Sequence, residues 1–258
     1  MTGVVSYSPA DVAYLLQEKG VSKATAPVVT TLAMAVLAGA FIALGAVFST
    51  TIGSDANLGF GPTRLLMGLG FSLGLILVIV AGAELFTGNN LVVMSWVSRR
   101  ISLLQLLRNW GIVYVGNLIG ALSIVVMVYY ANWWTQDGHS VGATALSIAN
   151  GKAGLSFQVP FVRGILANAL VCLAVWLAMA GRTIIDKAVR IVFPVAAFVA
   201  GGFEHSIANM YFLPLGLLLS ENADVLQAAG LTGNVSRLTI PWSLNNLAAA
   251  PCGTSWAA

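Results

Sequence analysis

Residues 65–83 read LLMGLGFSLGLILVIVAGA, nineteen positions without a charge, and the chain then turns abruptly polar at ELFTGNN. As a helix, such a run rises roughly 30 Å, the thickness of a bilayer's hydrocarbon core. Comparable uncharged runs occupy 27–52, 110–131 and 164–181, with a shorter one at 191–203. None shows the period-2 alternation of a strand. In lipid, a backbone left unpaired has no water to bond, so helices are the spanning solution. Only 8% of the 258 residues are charged, against roughly 25% for a soluble domain. The expectation is a multi-pass, all-α membrane protein.

The first apolar run begins near Val28 and is preceded by Asp11, Glu18, Lys19 and Lys23 rather than by a short basic cap, so the sequence predicts a retained amino terminus. Residues 8–20 predict a short amphipathic helix. Ser8 is the N-cap and Pro9 the first helical position; Val12, Leu15 and Leu16 lie on one face, and Gly20 is the stop. Threading from a cytoplasmic amino terminus places Lys19, Lys23, Arg99, Arg100, Arg108, Arg182, Lys187 and Arg190 inside. Arg64, Lys152, Arg163 and Arg237 fall outside. Eight of twelve basic residues on one side is the positive-inside bias. The net charge of +3 is a topology signal and implies no nucleic-acid partner. Cys172 and Cys252 stand in unrelated contexts and give no metal or disulfide framework.

Two spans are interrupted. The second breaks at 84–90 and resumes as LVVMSWV, and the fifth breaks at 204–209 and resumes as MYFLPLGLLL. Each break starts with a glutamate and ends on an asparagine, and Glu84 and Glu204 are 120 positions apart. Paired interruptions in corresponding halves point to an inverted-repeat transporter with its site at mid-membrane. A resumed half-helix presents free N–H groups and a positive dipole end to the break, which suits an anion. Gly68, Gly70, Gly74, Gly82, Gly116, Gly120, Gly201 and Gly202 are candidates for close helix approach.

Ionisable groups at membrane depth mark pathways. Here they are Glu84, Glu204 and His205, and a histidine is the side chain best able to exchange a proton near neutrality. For the two glutamates, capping of the half-helix ends or pairing with basic residues is the reading preferred over proton transfer.

The strings AELFTGNN, GILANALVCLAVW, GRTIIDKA and GFEHSIANMYFLPLG resemble those of the formate/nitrite transporter family, over about residues 11–247. The resemblance implies an aquaporin-like inverted repeat of three-helix units with interrupted helices 2 and 5, a homopentamer with one pore per subunit, and passage of formate, nitrite or hydrosulfide without a cofactor. It implies that His205 is the pore histidine facing Thr87, with Lys152, Asn168 and Glu204 as the polar surroundings. It also implies that Leu75, Leu85 and Phe198, with Phe71, are the apolar constriction. On that reading His205, held by Glu204 and Asn168, can give or take a proton.

The expected organisation is an amphipathic lead-in at 1–27, a first repeat at 28–131, an outer loop at 132–158, a second repeat at 159–247 and an unrelated tail at 248–258. In the family a string like IPWSLNNL opens a sixth helix, but no apolar run of the required length follows it here, so the last span is expected to be missing. The function expected is a channel or proton-linked transporter for small monovalent anions, formate favoured, in the cytoplasmic (inner) membrane. A neutral-solute channel and a truncated, inactive fragment are the alternatives. An intramembrane acid/base enzyme built on Glu204 and His205 is set aside because no nucleophile–base pair, HExxH or aspartate pair accompanies them.

Overall fold

The computed structural model describes residues 6–54, 58–231 and 238–256. Arg237, placed outside by the charge count, and the chain ends at 1–5 and 257–258 lie beyond them. Helix α1 (Pro9–Thr25) opens with a capping box: the Ser8 hydroxyl accepts from the Asp11 amide, and the Asp11 carboxylate accepts from the Ser8 amide. Val12 and Leu16 are buried as expected, whereas Leu15 is only half-buried. Gly20 does not stop the helix. It sits where α1 crosses the short helix α5 (Val93–Val97), and a Cβ there would collide with the Ser95 side chain, so the glycine serves close packing.

Among the described residues, four helices are long and apolar enough to cross a membrane: α2 (Val28–Gly53), α3 (Phe60–Ala81), α6 (Leu103–Tyr130) and α8 (Gln158–Ala180). The interrupted spans are α3 continued by α4 (Phe86–Asn89), a 3-10 turn (Asn90–Val92) and α5 (Val93–Val97), and α9 (Ile184–Ala200) continued by α10 (Ser206–Leu219). Each break is shorter than the sequence indicated. Thr87 to Asn89 and Ser206 to Asn209 already lie in the resumed helices, because their backbone bonds close immediately: Asn89 N–H to Leu85 C=O at 2.8 Å and Asn209 N–H to His205 C=O at 3.0 Å.

The two halves repeat one packing scheme. α2 packs along α3 and α6; α8 packs along α9 and α12 (Ile240–Trp256); and α3 meets α9 between them. Equivalent glycines turn the two breaks, Gly82 at φ +71° and Gly202 at φ +69°, a left-handed conformation that glycine adopts without a Cβ penalty. The expected outer loop is largely helical: α7 (Ser140–Ala153) lies against α10, burying Val141, Ala145, Leu146 and Ala149. A small helix, α11 (Ala223–Ala228), packs on α7.

The tail is also corrected. The helix begun by IPWSLNNL runs unbroken through Ala248 to Trp256, so helical structure does not end at Leu247. Hydropathy missed it because its packing depends on small residues. A Cβ on Gly253 would strike the Phe161 carbonyl and one on Gly164 would come within 2.7 Å of the Ala250 carbonyl, so α12 and α8 touch backbone to backbone. Pro251 lacks the N–H that would bond the Leu247 carbonyl, and the Tyr114 hydroxyl donates to that carbonyl instead, at 3.2 Å.

Candidate functional site

The breaks carry matching polar networks. At the first, Lys23 Nζ lies 3.1 Å from the Glu84 carboxylate, Asn89 Nδ2 donates to Glu84 (2.6 Å) and to Asn109 Oδ1 (2.9 Å), and Asn109 Nδ2 donates to the Lys23 carbonyl (3.1 Å). At the second, Lys152 Nζ donates to Glu204 (2.9 Å), Asn209 Nδ2 to Glu204 (2.7 Å) and to Asn246 Oδ1 (2.7 Å), and Asn246 Nδ2 to the Lys152 carbonyl (3.1 Å). Both glutamates are thus partnered by a lysine and an asparagine, as a buried carboxylate requires. Lys23, Asn109 and Asn246 were not singled out from the sequence as site residues. The repeat spacing could not supply them: Glu84 and Glu204 are 120 positions apart, but Lys23 and Lys152 are 129 apart and Asn109 and Asn246 are 137 apart.

Register also shows where the halves differ. Leu85 and His205 occupy the same N-cap position before α4 and α10. Leu85 offers no cap, and the Asn117 side chain accepts from the Phe86 amide at 2.9 Å in its place. His205 caps its own helix, its Nδ1 accepting from the Ala208 amide at 3.1 Å. A ring nitrogen that accepts carries no hydrogen, so the neutral imidazole bears its proton on Nε2. That atom lies 3.3 Å from the Thr87 hydroxyl, to which it donates. Thr87 is then left with its own O–H to offer.

Around this pair the walls are apolar. The His205 ring stacks on Phe198 at 5.6 Å and meets Phe71 edge-on at 6.1 Å, and Phe71 contacts Phe198 at 5.6 Å. Two cavities lie in sequence along α3. Arg64, Met67 and Phe71 line one of about 850 Å³, together with Phe198, Glu204, His205 and Lys152. One turn further, Leu75, Val78, Ile79 and Gly82 line one of about 140 Å³, together with Leu85, Asn89, Lys19, Lys23 and Lys187. Arg64 and Gly82 are about 27 Å apart along that helix. The four expected constriction residues therefore divide, with the aromatic pair facing the large cavity and the two leucines facing the small one.

His205, Thr87, Glu204 and Lys152 converge as expected, but the support of His205 is different. Glu204 turns to Lys152 and Asn209, and the histidine is held by Ala208, Thr87 and Phe198. Asn168 is buried behind the pair, its Nδ2 donating to the Thr254 carbonyl at 3.1 Å. Asn90 donates to the same carbonyl at 2.7 Å, and the Thr254 hydroxyl donates to Ser206 Oγ at 3.3 Å. The last turn of α12 thereby ties together the residues behind both breaks. No sequence signal pointed to Thr254, since its partners are far away in the chain. Among the described residues no three histidine, cysteine or acidic side chains gather as metal ligands. The arrangement offers hydrogen-bond donors in an apolar passage and a cation beside each cavity.

The family described as "Formate/nitrite transporter" matches residues 10–250. The formate channel FocA of Escherichia coli K12 is 43% identical over 217 residues, 84% of this chain and 76% of the relative. The formate channel FocA of Haemophilus influenzae is 41% identical over 182 residues, 70% of this chain and 64% of the relative. A solved structure described as a pentameric formate channel with formate bound superposes with a TM-score of 0.81 at 34% identity, covering 89% of this chain and 92% of that one.

Proposed function

We propose that this chain, which belongs to the formate/nitrite transporter family, is a membrane channel or proton-linked transporter for small monovalent anions, with formate the favoured substrate and nitrite or hydrosulfide as further ones. The observation that carries the reading is the Thr87–His205 donor pair set between two cation-bearing cavities and walled by Phe71, Leu75, Leu85 and Phe198. Moving a bare anion into such a passage costs of order tens of kcal/mol by ideal Born estimates, less after relaxation. Two devices lower that cost. Basic residues outnumber acidic ones among the described lining residues of each cavity, which leaves net positive charge beside both, and the Thr87 O–H supplies a hydrogen bond between them.

A weak acid gains a third device, because it can cross as the neutral molecule. With Nδ1 committed to the Ala208 amide, His205 acts as the donor that orders Thr87, and the transported acid takes its proton from cavity water. The chain is read as a homopentamer, one passage per subunit, in the cytoplasmic membrane. The clustering of Arg100, Arg108, Arg182 and Arg190 around α1 supports a cytoplasmic amino terminus.

Flux into proteoliposomes tests this. Formate uptake that is saturable, competed by nitrite and stimulated by an inward proton gradient is expected. Passage of a neutral solute that anions do not inhibit would replace the reading with a neutral-solute channel.

A further inference from the structure

The large cavity carries more positive charge than the Lys152–Glu204 pair accounts for. Glu204 is the one acidic group among its described lining residues, and Lys152 already neutralises it. Arg64 and Arg163 line the same cavity, and each lies within electrostatic reach of Glu204 and of the other. Arg64 is positioned by structure. One guanidinium nitrogen donates to the Val199 carbonyl at 2.8 Å, at the end of α9, while its Nε is buried without a partner. Arg163, near the start of α8, makes no hydrogen bond or ion pair among the described residues. Two guanidinium groups, one fixed and one free, thus face a space of about 850 Å³ ahead of the apolar layer.

We propose that Arg64 and Arg163 form a recruiting subsite for planar two-oxygen anions, carboxylate or nitrite, in this cavity. The proposal rests on the transport reading above and adds a source of selectivity to it. A guanidinium is a planar fork whose N–H groups match a carboxylate two for two, whereas an ammonium is a point charge. An anion with a single acceptor atom, such as hydrosulfide, gains the charge attraction from either residue but not the second bond. The pair therefore enriches formate or nitrite at the mouth, while Thr87 and His205 act on whatever enters.

The test separates fork from charge with Arg163→Lys and Arg163→Gln in proteoliposomes at fixed ionic strength. Arg163→Lys should raise the half-saturation concentration for formate and nitrite about three- to tenfold, leave that for hydrosulfide within about twofold, and leave maximal rates unchanged. Arg163→Gln should raise all three. Arg64→Lys should follow the lysine pattern; Arg163 is the primary site because Arg64 also holds α9. Unchanged formate half-saturation in both Arg163 variants overturns the subsite. An equal rise for formate and hydrosulfide in Arg163→Lys reduces it to charge alone and overturns the selectivity. Absence of flux for every anion in the wild type sinks the transport reading instead. Titration of carbon-labelled formate into the detergent-solubilised wild type and Arg163→Lys, followed by line broadening, then decides the subsite without transport: equal broadening in the two overturns it, and weaker broadening in the variant supports it.

Discussion

The imidazole Nε2 of His205 and the hydroxyl of Thr87 lie 3.3 Å apart although 118 positions separate them in the chain. Each stands at the start of a resumed helix, in a different half of the molecule, so the contact exists only when both halves are docked. It is also where the repeat departs from symmetry, since the counterpart of His205 is Leu85.

Replacing His205 should separate ordering from conduction. His205→Ala removes the α10 cap and the donor to Thr87, and is expected to lower formate flux at least tenfold while keeping its dependence on pH, because the proton comes from cavity water. His205→Asn keeps a short polar side chain at the cap and should retain more of the flux, with the same pH dependence. Loss of the pH dependence in both variants would make the histidine the proton donor instead, and unchanged flux in both would make it a packing residue only.

Breaking one ion pair should cost more than removing both partners. Lys152→Met leaves Glu204 buried without its cation, a loss of about 3–5 kcal/mol by analogy with other buried pairs, whereas Lys152→Met with Glu204→Gln relieves most of it. Thermal unfolding in detergent should rank wild type and double variant above the single one. If the single variant is as stable as the double, Glu204 is not charged in the folded protein.

Residues 251–256 should be needed for stability. Deleting them removes the carbonyl that accepts from both Asn90 and Asn168, and orphans two buried amides at about 1–3 kcal/mol each. Thr254→Ala removes only the hydroxyl bond to Ser206, about 1 kcal/mol. A truncated chain that unfolds at the wild-type temperature would show the last turn of α12 to be dispensable.

Docking of α1 should weaken in acid. The Ser8 hydroxyl and amide hold the Asp11 carboxyl below its ordinary value, and Arg100 holds Glu18 below its own. A depressed folded pKa contributes stability above the unfolded value and loses it as pH falls through the folded one. Proteolysis at Lys19 and Lys23 should therefore accelerate below the ordinary carboxylate range, and Glu18→Gln should abolish part of that change. A cleavage rate independent of pH would rule the two carboxylates out as fasteners.

The sequence by itself determined that this chain spans a membrane, where its two spans break, and which ionisable groups lie at those breaks, because the length of an apolar run and a polar interruption are local properties that lipid reads directly. The positions of Glu84, Glu204, Thr87 and His205 were legible for that reason. Their partners were not. Whether Glu204 faces His205 or Lys152, whether Asn168 supports the histidine or the end of α12, and whether AAAPCGTSW continues a helix all depend on groups brought together from distant parts of the chain. Tertiary structure decided these points. Close backbone approach at Gly164 and Gly253 stabilises a helix whose own residues carry little hydropathy, and each buried polar atom must take whichever partner the docked halves place within reach.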